Sequence, residues 1–229
     1  MNFDISKYHF KSNKLFNDVL PHFMNELKDI SKIVQLKKGG ELYREGSLPK
    51  AVYKVKKGKI KIEQTGADGK SRIVYVYTVG EYFGFRPLLC KEKHPVSAIS
   101  LEDSEVEAYD GTGFLDIAKR SSNLSFNLVE ILSFEFNVWI NLIGSLSHKS
   151  AKERVAIILL ILNEKYKTKE KVETAITMSK ADIACYSETT EETVVRVLSF
   201  FKEQGIVITA ARKVIIKNKQ LLEIIAEGF

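Results

Sequence analysis

The sequence predicts an α+β protein: an antiparallel β-roll, then a long helix, then short helices closed by a β-hairpin. Three observations carry this. From about Ile33 to Tyr109, apolar residues recur at every second position. From about residue 122 to 146 they recur at helical spacing, on more than one face. Residues 179–229 hold two short capped helices and two further alternating runs.

The first thirty residues read as an amphipathic helix, with Leu15, Phe16, Val19, Leu20, Phe23 and Leu27 along one side. The alternating runs that follow include Val52-Tyr53-Lys54-Val55, Lys59-Ile60-Lys61-Ile62 and Arg72-Ile73-Val74-Tyr75-Val76-Tyr77. Glycines punctuate them, and Ala67-Asp68-Gly69-Lys70 between two such runs is a hairpin signal. Short strands at regular spacing predict a small antiparallel roll or barrel, the fold class being assigned as a jelly-roll-like double-stranded β-helix. Asp110-Gly111-Thr112-Gly113 closes it.

In the long helix, Leu128, Ile131, Val138 and Leu142 form one stripe, while Leu132, Phe136, Trp139, Ile143 and Leu146 form another. Two apolar faces need two partners. One can be the roll; the other is most simply the same helix of a second subunit, to which the first stripe is assigned, the alternative being the central core helix of a monomer. Glu135 interrupts that stripe, so it is no clean heptad seam. Domains are expected at 1–146, with the dimerisation helix at about 122–146, and at 147–229, joined by the polar Ser147-His148-Lys149-Ser150.

Ser179 caps the next helix, with Asp182 three residues on. Glu188-Thr189-Thr190 interrupts it, and Thr190 caps its successor, whose acidic first turn suits a helix N-terminus. Val194, Val197, Leu198 and Phe201 give that helix a buried side, and Gly205 ends it. This is a helix-turn-helix. The strands around Ala210-Ala211-Arg212-Lys213 add a wing, and Asn218 caps a last helix. In a winged helix-turn-helix, the N-terminal part of the second helix meets base edges. Here that part holds Thr189, Thr190, Glu191, Glu192, Thr193 and Arg196. Glu192 and Arg196, four apart, suit cytosine and guanine respectively. Arg212 and Lys213 are placed for phosphates, and Ser179 and Lys180 are assigned to the same DNA-binding surface.

Composition bounds the remaining choices. Net charge is +6, but residues 149–229 hold 14 basic and 11 acidic residues against 21 and 18 in the rest, so both parts carry +3. Bulk charge therefore locates no polyanion site. Cys90 and Cys185 suggest no disulfide framework, and His9, His22, His94 and His148 are scattered, so no metal site is expected. No catalytic constellation is found. There is no run of 18 apolar residues, and Met1 to Phe10 lacks a secretory pattern, so a cytoplasmic protein without membrane contact is expected.

Residues 15–225 resemble the CRP/FNR superfamily of transcription regulators. The resemblance rests on Gly39-Gly40-Glu41-Leu42-Tyr43-Arg44-Glu45-Gly46, Lys57-Gly58-Lys59-Ile60-Lys61, Gly80-Glu81-Tyr82-Phe83-Gly84, Leu101-Glu102-Asp103-Ser104-Glu105-Val106 and Glu192-Thr193-Val194-Val195-Arg196-Val197-Leu198. It implies a cyclic-nucleotide-binding-type roll, a homodimer and a winged helix reading a palindrome in double-stranded DNA, with RNA polymerase as a further partner. It sets Glu192 and Arg196 at base-reading positions, and Lys180 and Thr190 near phosphates.

Departures from the family pattern alter the expected effector. The family's cyclic-nucleotide binders carry a glutamate for the ribose and an Arg-Ser pair for the phosphate. Here Phe85 and about His94-Pro95 stand there, so cyclic AMP is not expected and no cofactor is identifiable. An effector pocket, if formed, is assigned to Ile73, Tyr75, Phe85, Arg86, Leu88, Leu89, His94, Val96 and Ser97. The same side chains could fill the roll with no ligand. Glu188 stands at a turn position that is often glycine, and Glu191 where an arginine is found. Those two acids motivate the alternative of a regulatory module that does not bind DNA.

Overall fold

The computed structural model describes residues 3–67, 69–167, 173–210 and 213–228. Contacts divide the chain into two compact units: residues 10–136, and residues 1–9 together with 137–229.

Short 3-10 turns at Ile5–Tyr8 and Ser12–Lys14 precede α1 (Pro21–Asp29). The single helix expected over the first thirty residues does not form. Proline disfavours helical backbone in the residue before it, and Leu20 is extended with ψ 146°. Asp18 turns the chain at φ +54°.

The strands follow as β1 (Ser31–Leu36), β2 (Glu41–Tyr43), β3 (Ala51–Lys57), β4 (Ile60–Thr65), β5 (Ser71–Tyr77) and β6 (Tyr82–Phe83). Helix α2 (Phe85–Cys90), β7 (Ser97–Ser100) and β8 (Ser104–Asp110) complete the series. They form two four-stranded antiparallel sheets, β1-β8-β3-β6 and β2-β7-β4-β5. The expected hairpin joins β4 to β5, with Ile62 opposite Tyr75. Its turn is held by Gly66 N–H on Lys70 O at 2.8 Å, while Asp68 lies outside the described residues. Gly58, at φ +81°, turns β3 into β4 where a Cβ would fall 2.1 Å from Ser104 Oγ, so no side chain fits.

Asp110 does more than close the roll. Its carboxylate accepts from Gly113 N–H at 2.9 Å and caps α3 (Gly111–Arg120), a helix beyond those expected from the sequence. Helix α4 (Ser122–Ser147) follows. Phe23, Leu27, Phe85, Leu88, Phe114, Ile117, Leu124, Leu128 and Ile131 form one apolar cluster among α1–α4.

The stripe of α4 assigned to the dimer is covered by the chain itself. Leu128, Ile131, Val138 and Leu142, assigned above to the dimer, are buried within the chain itself. The exposed line is Phe126, Val129, Phe136, Ile140 and Ile143, at three- and four-residue steps with Ser133 between. Ser133 satisfies its hydroxyl on Val129 O of its own helix, 2.8 Å away. The sequence showed two apolar faces but could not tell which one the chain covers. By length and composition α4 could also cross a bilayer, but its buried stripe is core packing and contains Glu135.

In the second unit α5 (Ala151–Tyr166) is buried from Val155 through Leu162, which explains its apolar character all round. Ser150 and Glu153 form a full capping box at its start. A short strand β9 (Ala175–Ile176) precedes α6 (Lys180–Tyr186) and α7 (Glu191–Glu203). The wing is β10 (Val207–Ala210) and β11 (Lys213–Ile216), with β9 as a third strand on β11. Helix α8 (Lys219–Glu227) is capped by Asn218, which accepts from Leu221 N–H at 3.0 Å. Most of the charged run Lys167–Lys171 lies outside the described residues.

Candidate nucleic-acid interface and roll interior

The helix-turn-helix is built as its sequence demands. Ser179 Oγ accepts from Asp182 N–H at 3.0 Å to start α6, and Thr190 Oγ1 accepts from Thr193 N–H at 3.2 Å to start α7. Val194, Val197, Leu198 and Phe201 are buried, and Gly205 leaves the helix at φ +67°. This burial fixes which side of α7 is outward. Glu191, Glu192 and Arg196 are exposed there, Thr193 is half-buried, and Val195 is exposed beside them.

A solvent-facing Glu–Arg pair at this spacing commonly closes into a salt bridge. Among the described residues neither Glu192 nor Arg196 has an ion-pair partner. Both head groups are therefore available to a ligand. Thr190 and Thr193 are less so, since their hydroxyls bond each other at 2.9 Å. Ser179 is likewise engaged, with its hydroxyl 2.6 Å from the Asp182 carboxylate. Thr189 is half-buried, its N–H bonded to Ala184 O at 3.0 Å. Lys180 is exposed at the start of α6 and Lys213 at the start of β11. Arg212 lies outside the described residues.

Glu188 adopts φ +50°, the left-handed conformation a glycine takes without penalty. The turn is held from outside by Arg154 of α5, which donates to Ser187 O at 2.9 Å and Glu188 O at 3.0 Å. Sequence reasoning missed Arg154, because nothing local to residue 154 links it to a turn thirty-odd positions away.

The interior of the roll is a chain of stacked aromatics. Phe10 lies on Tyr75 with ring centroids 3.7 Å apart, and its N–H donates to Tyr75 Oη at 2.9 Å. Tyr77 stacks on Phe83 at 4.8 Å, Phe83 on Tyr53 at 5.4 Å, and Tyr43 on His94 at 3.7 Å. Tyr75 donates to Glu81 Oε1 at 3.0 Å, and Glu81 Oε2 accepts from Thr78 N–H at 2.7 Å. His94 is buried with Nε2 unbonded, and burial pushes its pKa down to about 4.

The residues assigned to an effector pocket part company. Phe85 and Leu88 turn into the helical cluster, and Leu89 is exposed. Gly84, at φ +86° and too close to Tyr53 for a Cβ, sets that direction. Ile73 and Tyr75 are buried on β5, while Val96 and Ser97 are half-buried, Ser97 Oγ accepting from Glu45 N–H at 2.9 Å. Arg86 donates to Tyr77 Oη at 3.1 Å, faces the Phe10 ring at 5.6 Å and lies 3.0 Å from Glu135 Oε2. Glu135 is 2% exposed, and neither oxygen has a hydrogen bond of good geometry. Burial pushes its carboxyl up to about 7 against the pull of Arg86, with Glu81 adding to the rise. No group of three or more metal-ligating side chains exists among the described residues.

A β-roll carrying a winged helix-turn-helix, with an outward, uncommitted Glu–Arg pair on its second helix, defines a DNA-binding regulator. Residues 33–121 match the cyclic nucleotide-binding domain family, and residues 153–225 the Crp-like helix-turn-helix domain family. The chain belongs to the CRP/FNR superfamily of transcription regulators. It is 27% identical to the cyclic AMP receptor protein of Thermus thermophilus over 218 residues, covering 95% of this chain and 99% of that one. It is 27% identical to the fumarate and nitrate reduction regulatory protein of Escherichia coli over 211 residues, covering 89% and 84%. The structure of FixK2 from Bradyrhizobium japonicum superposes with a TM-score of 0.76 at 25% identity, covering 86% of this chain and 97% of the other.

Proposed function

We propose that this regulator binds a palindromic operator as a homodimer, reading bases with Glu192 and Arg196. The observation that carries the reading is the outward, unpaired placement of these two side chains on a helix whose opposite face is locked in the core. Lys180, Lys213 and Arg212 contact phosphates, and Thr189, Thr190, Ser179, Glu191 and Thr193 border the contact. Residues 147–229 act as the reading domain and residues 1–146 as the sensor and dimer domain. The exposed line on α4 supports the dimer, because an apolar row of this length on a helix suits a copy of itself. A two-fold pair sets the recognition helices one DNA turn, about 34 Å, apart.

The sensor interior does not take cyclic AMP in the usual way. Phe85 packs into the helical core, and the roll is filled by the chain's own aromatics, with Phe10 among them. Once at a promoter the dimer acts on RNA polymerase. The deciding experiment is selection of duplexes from a random pool by purified protein without added effector. An enriched palindrome supports the reading. Salt-insensitive, sequence-blind behaviour from a well-folded dimer would support a regulatory module without DNA binding instead.

A further inference from the structure

We propose that Arg154 is a positioning residue for DNA reading: it clamps the turn of the helix-turn-helix and thereby sets the direction in which α7 presents Glu192 and Arg196. This rests on the reading that α7 meets DNA, and it names a residue outside that surface.

The turn needs an external hold. Its second residue, Glu188, sits at φ +50°, where a side chain is disfavoured. The carbonyls that end α6 lack helical donors, as they do at any helix C-terminus. Thr189 N–H on Ala184 O and Ser187 Oγ on Ile183 O satisfy part of the turn, at 3.0 and 2.7 Å. The carbonyls of Ser187 and Glu188 are taken by one guanidinium.

Arg154 meets three carbonyls with three different nitrogens. Its Nε donates to Ser187 O at 2.9 Å, one terminal nitrogen to Glu188 O at 3.0 Å, and the other to Lys149 O at 2.7 Å. Only a planar fork of fixed geometry makes such a set; a lysine ammonium has the charge but not the spread. Among the described residues Arg154 has no carboxylate partner, so its charge faces the negative end of α6. The base of the clamp is itself fixed. Arg154 N–H bonds Ser150 O at 3.0 Å, one residue beyond the Ser150–Glu153 capping box. Lys149 belongs to the joint between α4 and α5. Arg154 therefore ties that joint to the turn that aims the reading helix.

The test uses the full-length protein with Arg154→Lys, Arg154→Lys/Glu188→Gly and Arg196→Ala, on the selected duplex and on an unrelated duplex. Thermal melting is followed in parallel. Arg154→Lys should weaken binding to the selected duplex at least tenfold, while binding to the unrelated duplex and its salt dependence stay near wild type. Adding Glu188→Gly should restore part of the loss, since glycine accepts the left-handed turn unaided. Hydrogen exchange should quicken at Thr189 to Thr193 in Arg154→Lys and not across α8. Selected-duplex affinity equal to wild type overturns the proposal, as does equal loss on both duplexes. If Arg154→Lys does not fold, the double variant is compared with wild type, and recovery of fold without the specific loss also overturns it. Normal Arg154→Lys binding alongside a specific Arg196→Ala defect rejects the clamp alone. Wild-type protein that selects no duplex removes the DNA reading and the clamp with it.

Discussion

Arg86 Nε lies 3.0 Å from Glu135 Oε2, joining the helix after β6 to the middle of α4. The pair is lopsided: the Arg86 side chain is 40% exposed and the Glu135 side chain 2%. The carboxylate bears most of the desolvation, so burial lifts its pKa to about 7.

The first prediction is a pH dependence of stability. Between the ordinary carboxylate range and about 7, the folded protein holds a proton on Glu135 that the unfolded chain has released. Stability from this group is therefore present below its unfolded pKa and falls as pH rises through about 7. Glu135→Gln mimics the protonated state. Urea melts at pH 6 and 8 should show wild type losing on the order of 1–2 kcal/mol and the variant much less. Parallel losses in both proteins would contradict the assignment.

His94 gives a limb of opposite sign. Burial holds its folded pKa at about 4, below the ordinary imidazole value of 6.5, so the unfolded chain binds the extra proton between them. Stability is lost as pH falls from about 6.5 towards 4. His94→Phe keeps the stack on Tyr43 and removes the titration. It should flatten the acid limb of a melting-temperature profile without touching the loss that Glu135 brings as pH rises to about 7.

Dimerisation should depend on the exposed line of α4. Phe136→Glu and Ile140→Glu should convert the dimer to monomer in sedimentation velocity, with little loss in monomer stability, because both side chains are exposed within the chain. Leu128→Ala should instead destabilise the fold itself, by about 2–5 kcal/mol, since Leu128 is core. A dimer that survives both glutamates would move the interface elsewhere.

The proposed DNA surface should separate two kinds of contact. Arg196→Ala should cost about 1–3 kcal/mol per half-site and relax preference at one base pair. Lys213→Ala should weaken all duplexes alike and reduce the salt slope by about 1. Unchanged sequence preference in Arg196→Ala would remove Arg196 from base reading.

Much of this molecule is local enough to be legible in its sequence. Strand alternation, the glycines of the hairpin, and Ser179, Thr190 and Asn218 as caps each act over a few residues, and each element formed where they indicated. Thr190 with Val194, Val197, Leu198 and Phe201 even orients Glu192 and Arg196 outward. Relationships across sequence distance decided the rest. Which face of α4 is covered, the direction of Phe85 into helices and Phe10 into the roll, and the clamp of Arg154 on Ser187 and Glu188 all depend on neighbours supplied by other elements. Periodicity states that a face is apolar, but burial and hydrogen bonding are settled by what arrives opposite it. The chain's class was therefore set by local pattern, and the packing inside its roll and the hold on its helix-turn-helix turn by tertiary contact.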